Sequence, residues 1–343
     1  DLPRLRDGNV ALQVFSVVTK VPAGQNYERN TGDRDLIRWL ALAQRWPPPT
    51  WRSPRARALH QAARLRDAAA RSGGGLVLVT SVAELDTVLA RRARGERVVG
   101  AVLALEGLHA LEGAAASVDA LFDAGFRMLG LAHFFDNEAA GSAHGVEKYG
   151  LTPLGRAVVQ RMEELGMVLD LAHASPRAVD DALALATRPV VVSHTGVQAT
   201  CPGPRNLTDA HVLAVARTGG VVGIGFWDGA VCGVGVEPIV RAIRHVAALA
   251  GAEHVALGSD FDGATVTPFD AAGLVRLTAA LRANGFTDDE IAGIMGGNVI
   301  RVLRAILPAL PPTAPPAAAR AAGFHAGAGS AVSPGEEGAR HDL

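Results

Sequence analysis

Five apolar runs in this chain each stop on one ionisable residue, and that repeated ending restricts the fold more than any other feature of the sequence. VVGAVLALE (98–106) stops on Glu106, FRMLGLAH (126–133) on His133, MVLDLAH (167–173) on His173, VVVSHT (190–195) on His194 and HVALGSD (254–260) on Asp260. VALQVFSVV (10–18), LVLVTS (76–81) and GVVGIGF (220–226) share the apolar character without the terminal group. Near-continuous apolar runs of this length read as strands buried on both faces, as in a parallel sheet. Helix signals fill the intervals: Ser175 then Pro176, Thr152 then Pro153, and Thr287 with Glu290 as a capping box. Strand and helix alternate from end to end, so the expected fold is α/β, a (β/α)8 TIM-type barrel. The carboxyl ends of barrel strands open onto one mouth, which would gather the five groups.

Composition narrows the ligand. The chain has 343 residues and a formal charge of −1 with dispersed Lys and Arg, which argues against nucleic acid or a membrane surface and for a small molecule. Its two cysteines, Cys201 and Cys232, are too few for a disulfide framework or a thiolate-rich zinc site, so any metal must be held by nitrogen and oxygen. No run is long enough to span a bilayer and no basic-then-apolar leader opens the chain. It reads as soluble, with the bacterial cytoplasm as the expected compartment and a homodimer left open. Residues 1–307 are expected to form the barrel, and the Pro-, Ala- and Gly-rich stretch 308–343 a disordered tail, which makes His325 and His341 poor site candidates. RWPPPTW (45–51) reads as a loop on the barrel rim, with a lid over the site as the alternative.

Side chains alternate across a strand, so His173 is expected to share a face with Leu171 and Leu169, and His194 with Val192 and Val190. Two neutral imidazoles and a carboxylate suit Zn²⁺ or a similar divalent ion, which makes Glu106, His173 and His194 the candidate ligands. A carboxylate that bridges two ions would lower the pKa of a shared water from 15.7 toward about 7, giving a hydroxide at neutral pH. Asp260 is placed to move the proton as general acid/base, and His133 to donate to a developing oxyanion. Arg205, in CPGPRNLTD, suits a clamp on a substrate carboxylate; a surface arginine capping its loop is the alternative. Glu112 follows no strand and ranks below Glu106. Asp170 faces away from His173 and reads as a structural carboxylate or an orienter of a ligand, and Asp262 is a substitute for Asp260 if the strand ends earlier. His109, His144, His211, His245 and His254 read as solvated groups in loops or helices. Neither GGGLVLV nor GGVVGIGFWDG forms a GxGxxG turn opening a helix, which leaves dinucleotide binding weakly supported.

Taken in order, these motifs resemble the membrane (renal-type) dipeptidase family, zinc-dependent (β/α)8 hydrolases of dipeptides. The resemblance runs from DLPRLRDGNVALQVFSVV through LALEG, LGLAH, LDLAH, VVSHTG, PRNLTD and GSDFDG to GGNVIRVL, residues 1 to about 307. It implies that Glu106 is similar to the metal-bridging glutamate and that His173 and His194 match the ligands of the second of two Zn²⁺ ions. It further implies that His133 meets the substrate carbonyl, that Asp260 is the acid/base and that Arg205 receives the substrate carboxylate. Family members cleave dipeptides and tolerate a D-residue at the carboxyl end. One feature departs from the pattern. The family's first strand carries a His-x-Asp pair for the first metal, and no such pair precedes LRDG here. DLPRLR resembles the segment leading into the second strand. The expectation is therefore a bacterial-type member whose barrel lacks its first strand in this chain, with LVLVTS an accessory strand and the first metal site incomplete. The expected function is metal-dependent dipeptide hydrolysis. The alternatives are another amidohydrolase-like reaction on lactams, esters or N-acyl amino acids, and a metal-deficient remnant without catalysis.

Overall fold

The computed structural model describes residues 1–311. The tail expected at 308–343 falls, from residue 312 onward, outside the described residues. Eight strands are present: β1 (Leu12–Val18), β2 (Leu76–Leu78), β3 (Val99–Glu106), β4 (Phe126–Gly130), β5 (Val168–Asp170), β6 (Val191–Thr195), β7 (Val221–Ile224) and β8 (Val255–Leu257). All pair in parallel, in the order β1-β3-β4-β5-β6-β7-β8, with β2 also on β3. Gly100 and Ala101 pair with both β1 and β2, so those two strands lie on opposite edges of β3. Leu103 to Glu106 likewise pair with both β1 and β4, which puts β2 ahead of β4 on the same edge. LVLVTS is thus the accessory strand that the sequence led us to expect. Among the described residues nothing pairs β1 with β8, and the sheet curls into a half-barrel. A cleft of about 1890 Å³ lies along this seam, lined among others by Val14, Glu106, His194, Asp260 and Val299.

Hydrophobic burial holds the sheet to its helices. Leu103, Leu105, Leu129, Leu169, Val192 and Ile224 belong to one buried cluster with Val158 and Met162 of the helix Pro153–Leu165. That helix starts on the Thr152 hydroxyl, which accepts from the Gly155 amide, and ends on Gly166 at φ 69°, a left-handed cap that glycine adopts without a Cβ penalty. Ser175 and Thr287 cap their helices as expected, the latter in a full capping box with Glu290. The segment 45–51 ends in a short 3₁₀ turn, Pro48–Trp51, and is tied down. Fully buried Arg57 donates to the carbonyls of Thr19, Thr50 and Trp51 and pairs with Asp35 at 2.6 Å, which anchors the segment beside the end of β1.

Three of the strands that lead to candidate site residues stop sooner than their apolar runs. β4, β5 and β8 end at Gly130, Asp170 and Leu257, each three residues before His133, His173 and Asp260. Burial continues past the ladder, since Leu131 and Leu171 remain in the core, and so the apolar run overshoots the strand. His173 and Asp260 have φ of 62° and 55°, where the chain turns out of the sheet, and the expected alternation of His173 with Leu171 and Leu169 does not apply. The two cysteines join in one disulfide, Cys201–Cys232, which links the loop after β6 to the turn after β7. Among the described residues no helix is long and apolar enough to cross a membrane.

Candidate metal centre

The carboxyl edge of the sheet brings the sequence candidates together. Glu106 is the last residue of β3, and the chain leaves it through Gly107 at φ 88°. A Cβ at Gly107 would lie 2.5 Å from His109 Nδ1, so both the backbone angle and the packing require glycine. Glu106 Oε2 lies 3.3 Å from His133 Nε2 and 3.6 Å from His173 Nε2, and His173 Nε2 lies 3.0 Å from His194 Nε2. One ligand atom from each of Glu106, His173 and His194 falls within 4.8 Å of the others. Arg205 is buried, which rules out its alternative reading as a surface residue; its Nη2 donates to the His194 carbonyl at 2.6 Å and its guanidinium lies 6.0 Å from the Trp227 ring.

Burial sets the charge states. Desolvation, then the charge of Arg205, holds His173 and His194 well below the usual imidazole range and His133 at about 4, so all three are neutral near pH 7. Desolvation raises Glu106, with the Ser16 hydroxyl and Arg205 pulling the other way. Asp260 is pushed up to about 7 by desolvation and by the Glu106 charge, against Arg205. A carboxyl poised there can exchange a proton near neutral pH.

Asp170 takes the orienting role foreseen as one of its readings. It accepts from the amides of Ala172 and Ser193 at 3.0 and 2.8 Å and from the Ser193 hydroxyl at 2.5 Å. With the only Ser193 hydroxyl proton given to Asp170, the 2.8 Å contact between Ser193 Oγ and His194 Nδ1 requires Nδ1 to donate. His194 Nε2 is then a bare lone pair facing the cluster. Ser193 was not singled out in the sequence, because its part depends on two neighbouring strands lying side by side.

Two histidines read as solvated are buried. His109 bonds Thr19 Oγ1 through Nε2 at 2.9 Å, and His144 bonds the Tyr27 carbonyl through Nδ1 at 2.9 Å while stacking on Phe134 at 4.5 Å. Phe135 beside His109 and Tyr27 beside His144 come from other segments, which hid the burial from a local reading. Tyr27 also accepts a hydrogen bond from Trp227 Nε1 at 3.0 Å, closing an aromatic wall beside Arg205. The remaining candidates stay outside the cluster. Glu112 accepts from Ser53 Oγ, Asp262 is exposed, His211 and His245 face Asp180 and Asp209, and His254 bonds the Gly220 carbonyl.

The donor set fits a divalent cation. Two neutral imidazole nitrogens and a carboxylate oxygen converge, and one imidazole already has its proton fixed on the far nitrogen. With His194 Nε2 bare, its 3.0 Å approach to His173 Nε2 calls for a proton or a cation between the two.

A family described as membrane dipeptidase (peptidase family M19) matches residues 1–309. An uncharacterized protein in the pqqA 5′ region of Klebsiella pneumoniae is 34% identical over 261 residues, which is 72% of this chain and 94% of that protein. An uncharacterized dipeptidase of Schizosaccharomyces pombe is 32% identical over 60% of this chain, which spans about half of that relative, 52%. Among solved structures, a metallopeptidase from Rhodobacter sphaeroides, liganded with a phosphinate mimic of the dipeptide L-Ala-D-Ala, superposes with a TM-score of 0.74 at 26% identity, over 89% of this chain and 90% of that one. The metallopeptidase dipeptidase AC, also of family M19, gives 0.72 at 27% identity, over 90% and 89%.

Proposed function

Because this chain belongs to the membrane dipeptidase family, peptidase family M19, we propose that it hydrolyses dipeptides with a divalent cation held by Glu106, His173 and His194. The observation that carries the proposal is the convergence of those three ligand atoms within 4.8 Å at the carboxyl edge of a parallel sheet. The nitrogen and oxygen set suits Zn²⁺ or a similar divalent ion, and the second ion that the family resemblance implies would lack the His-x-Asp pair, which this sequence does not carry. When bound, the cation supplies Lewis-acid activation of the attacking water and of the peptide carbonyl.

The chain's own residues do the rest. Asp260 takes a proton from the water as its oxygen attacks the carbonyl carbon, and passes that proton to the amine as the C–N bond breaks. His133 donates from Nε2, on the side facing Glu106, to the carbonyl oxygen as it gains charge. Arg205, whose Nε has no hydrogen-bond partner among the described residues, offers that N–H to the terminal carboxylate of the substrate. The aromatic wall of Tyr27 and Trp227 limits water around that pair. The dipeptide mimic held by the Rhodobacter sphaeroides neighbour supports a substrate range that includes a D-residue at the carboxyl end. We assign the catalytic unit to residues 1–307.

A panel of dipeptides, N-acyl amino acids and lactams, assayed with and without added Zn²⁺, tests the proposal. Cation-dependent release of amino acids from dipeptides is expected. Turnover confined to N-acyl amino acids or lactams would favour a different amidohydrolase reaction, and failure to bind metal would favour a non-catalytic remnant. Arg205→Ala should raise KM for dipeptides by roughly ten- to a hundredfold, the loss of a charge-assisted hydrogen bond, and much less for substrates lacking a free carboxylate. Equal changes on both substrate classes would remove the clamp from the mechanism.

A further inference from the structure

The two histidines of the cluster are supported unequally. His194 has its Nδ1 fixed by Ser193 and Asp170, whereas His173 Nδ1 is buried without a hydrogen-bond partner among the described residues. A histidine that ligates metal through one nitrogen almost always donates from the other, and loss of that partner weakens metal binding. One nearby atom has the opposite need. His144 points Nδ1 at the Tyr27 carbonyl, an oxygen that can only accept, so Nδ1 carries the proton and Nε2 is a bare acceptor. That Nε2 is also buried and unpartnered among the described residues.

The two rings lie 5.3 Å apart between centroids, roughly the spacing at which an N–H···N contact of about 3 Å joins two imidazoles. Their planes are tilted by 59°, and the bond is not made in this arrangement. Backbone contacts hold the two segments in step: the Ala143 amide donates to the His173 carbonyl at 2.8 Å, and Ser142 bridges Ala174. The other neighbour with an unpartnered nitrogen is His133. With the Nε2 proton directed toward Glu106, its Nδ1 is likewise a bare acceptor, in a ring 4.8 Å from that of His173 but tilted further, at 69°. The backbone bond to the His173 carbonyl comes from Ala143, next to His144.

We propose that His144 is a positioning residue, accepting at Nε2 from His173 Nδ1–H and so turning His173 Nε2 toward the cation, in a chain that runs back to the Tyr27 carbonyl. This rests on His173 being a ligand, as argued above, and extends that reading to a residue beyond the ligand set.

The test is Zn²⁺ affinity of the full chain, read by competition with a chromophoric chelator, together with ¹⁵N NMR of the histidine rings. His173→Ala examines the ligand reading by itself, and unchanged affinity there would overturn both that reading and this one. Where His173→Ala does weaken binding, His144→Phe is expected to lower affinity by about ten- to a hundredfold. His144→Gln, which keeps an acceptor, should recover most of that loss. No loss in the Phe variant, or equal loss in both, overturns the proposal while leaving His173 a ligand. Should the variants fail to fold, the Zn²⁺-loaded wild-type protein decides: His144 is expected to be protonated at Nδ1 and bare at Nε2, and a proton found on Nε2 overturns the assignment.

Discussion

Asp260 carries the sharpest consequence of the site's electrostatics. Burial and the Glu106 charge both disfavour its ionised form, which places the carboxyl at about 7. A general base must be ionised, so kcat/KM should rise with pH through a midpoint no higher than about 7, since a cation at the cluster favours the carboxylate. Asp260→Asn should remove this limb and lower kcat by roughly 10²- to 10⁴-fold, as a pH profile on one dipeptide would read. A variant that keeps the limb would take Asp260 out of the acid/base role. At this scale the sequence was informative where a group closes an apolar run, as Glu106 and His194 do. It was silent on Ser193, whose partner Asp170 lies 23 positions away on the next strand. His144 was hidden too, because the small and polar residues around it resemble a loop, while Phe134 folds back on it from the start of that loop and Tyr27 covers it from another segment.

Elements were legible in type more than in extent. Caps fixed the starts of the helices after Thr152, Ser175 and Thr287, since an N-cap hydroxyl satisfies a local amide and needs no tertiary partner. Strand ends depend on pairing as well as burial, so the runs ending in His133, His173 and Asp260 were read three residues too long. The first turn of the helix Pro153–Leu165 packs closely against the loop that follows β4. A Cβ on Gly155 would lie 2.1 Å from the Ala139 carbonyl oxygen, a backbone atom that cannot swing aside. Gly155→Ala should therefore destabilise the fold by roughly 1–3 kcal/mol despite the better helix propensity of alanine. Exposed Gln160→Ala on the same helix should stay within about 0.5 kcal/mol. Urea denaturation of the two variants measures both, and a neutral Gly155→Ala would show that the helix can shift away from its neighbour.

At the scale of the molecule, the half-barrel answers the expectation of a missing stave: β1 and β8 flank an open seam, and β2 stands aside on β3. What the sequence could not supply is how much of this interior is histidine. His109 and His144 are held at about 3 and His133 at about 4, against 6.5 when exposed, mainly by desolvation. The unfolded chain binds more protons in that interval, so these groups contribute stability fully above pH 6.5 and lose it as pH falls toward 3. Glu106, Asp170 and Asp260 are shifted upward and act in the opposite sense, contributing at low pH and less as pH rises, to about 7 for Asp260. His109→Leu separates the two effects. The unfolding free energy of the wild type relative to this variant should fall steadily from pH 6.5 to about 3, and a difference that stays flat would mean His109 titrates as an exposed ring. The bond between Cys201 and Cys232 bears on how the protein would be handled at the bench. A peptidase that nicks the backbone at exposed Pro202 or Asp209 leaves two fragments still covalently joined, so such damage escapes a non-reducing gel and emerges only once thiol is added.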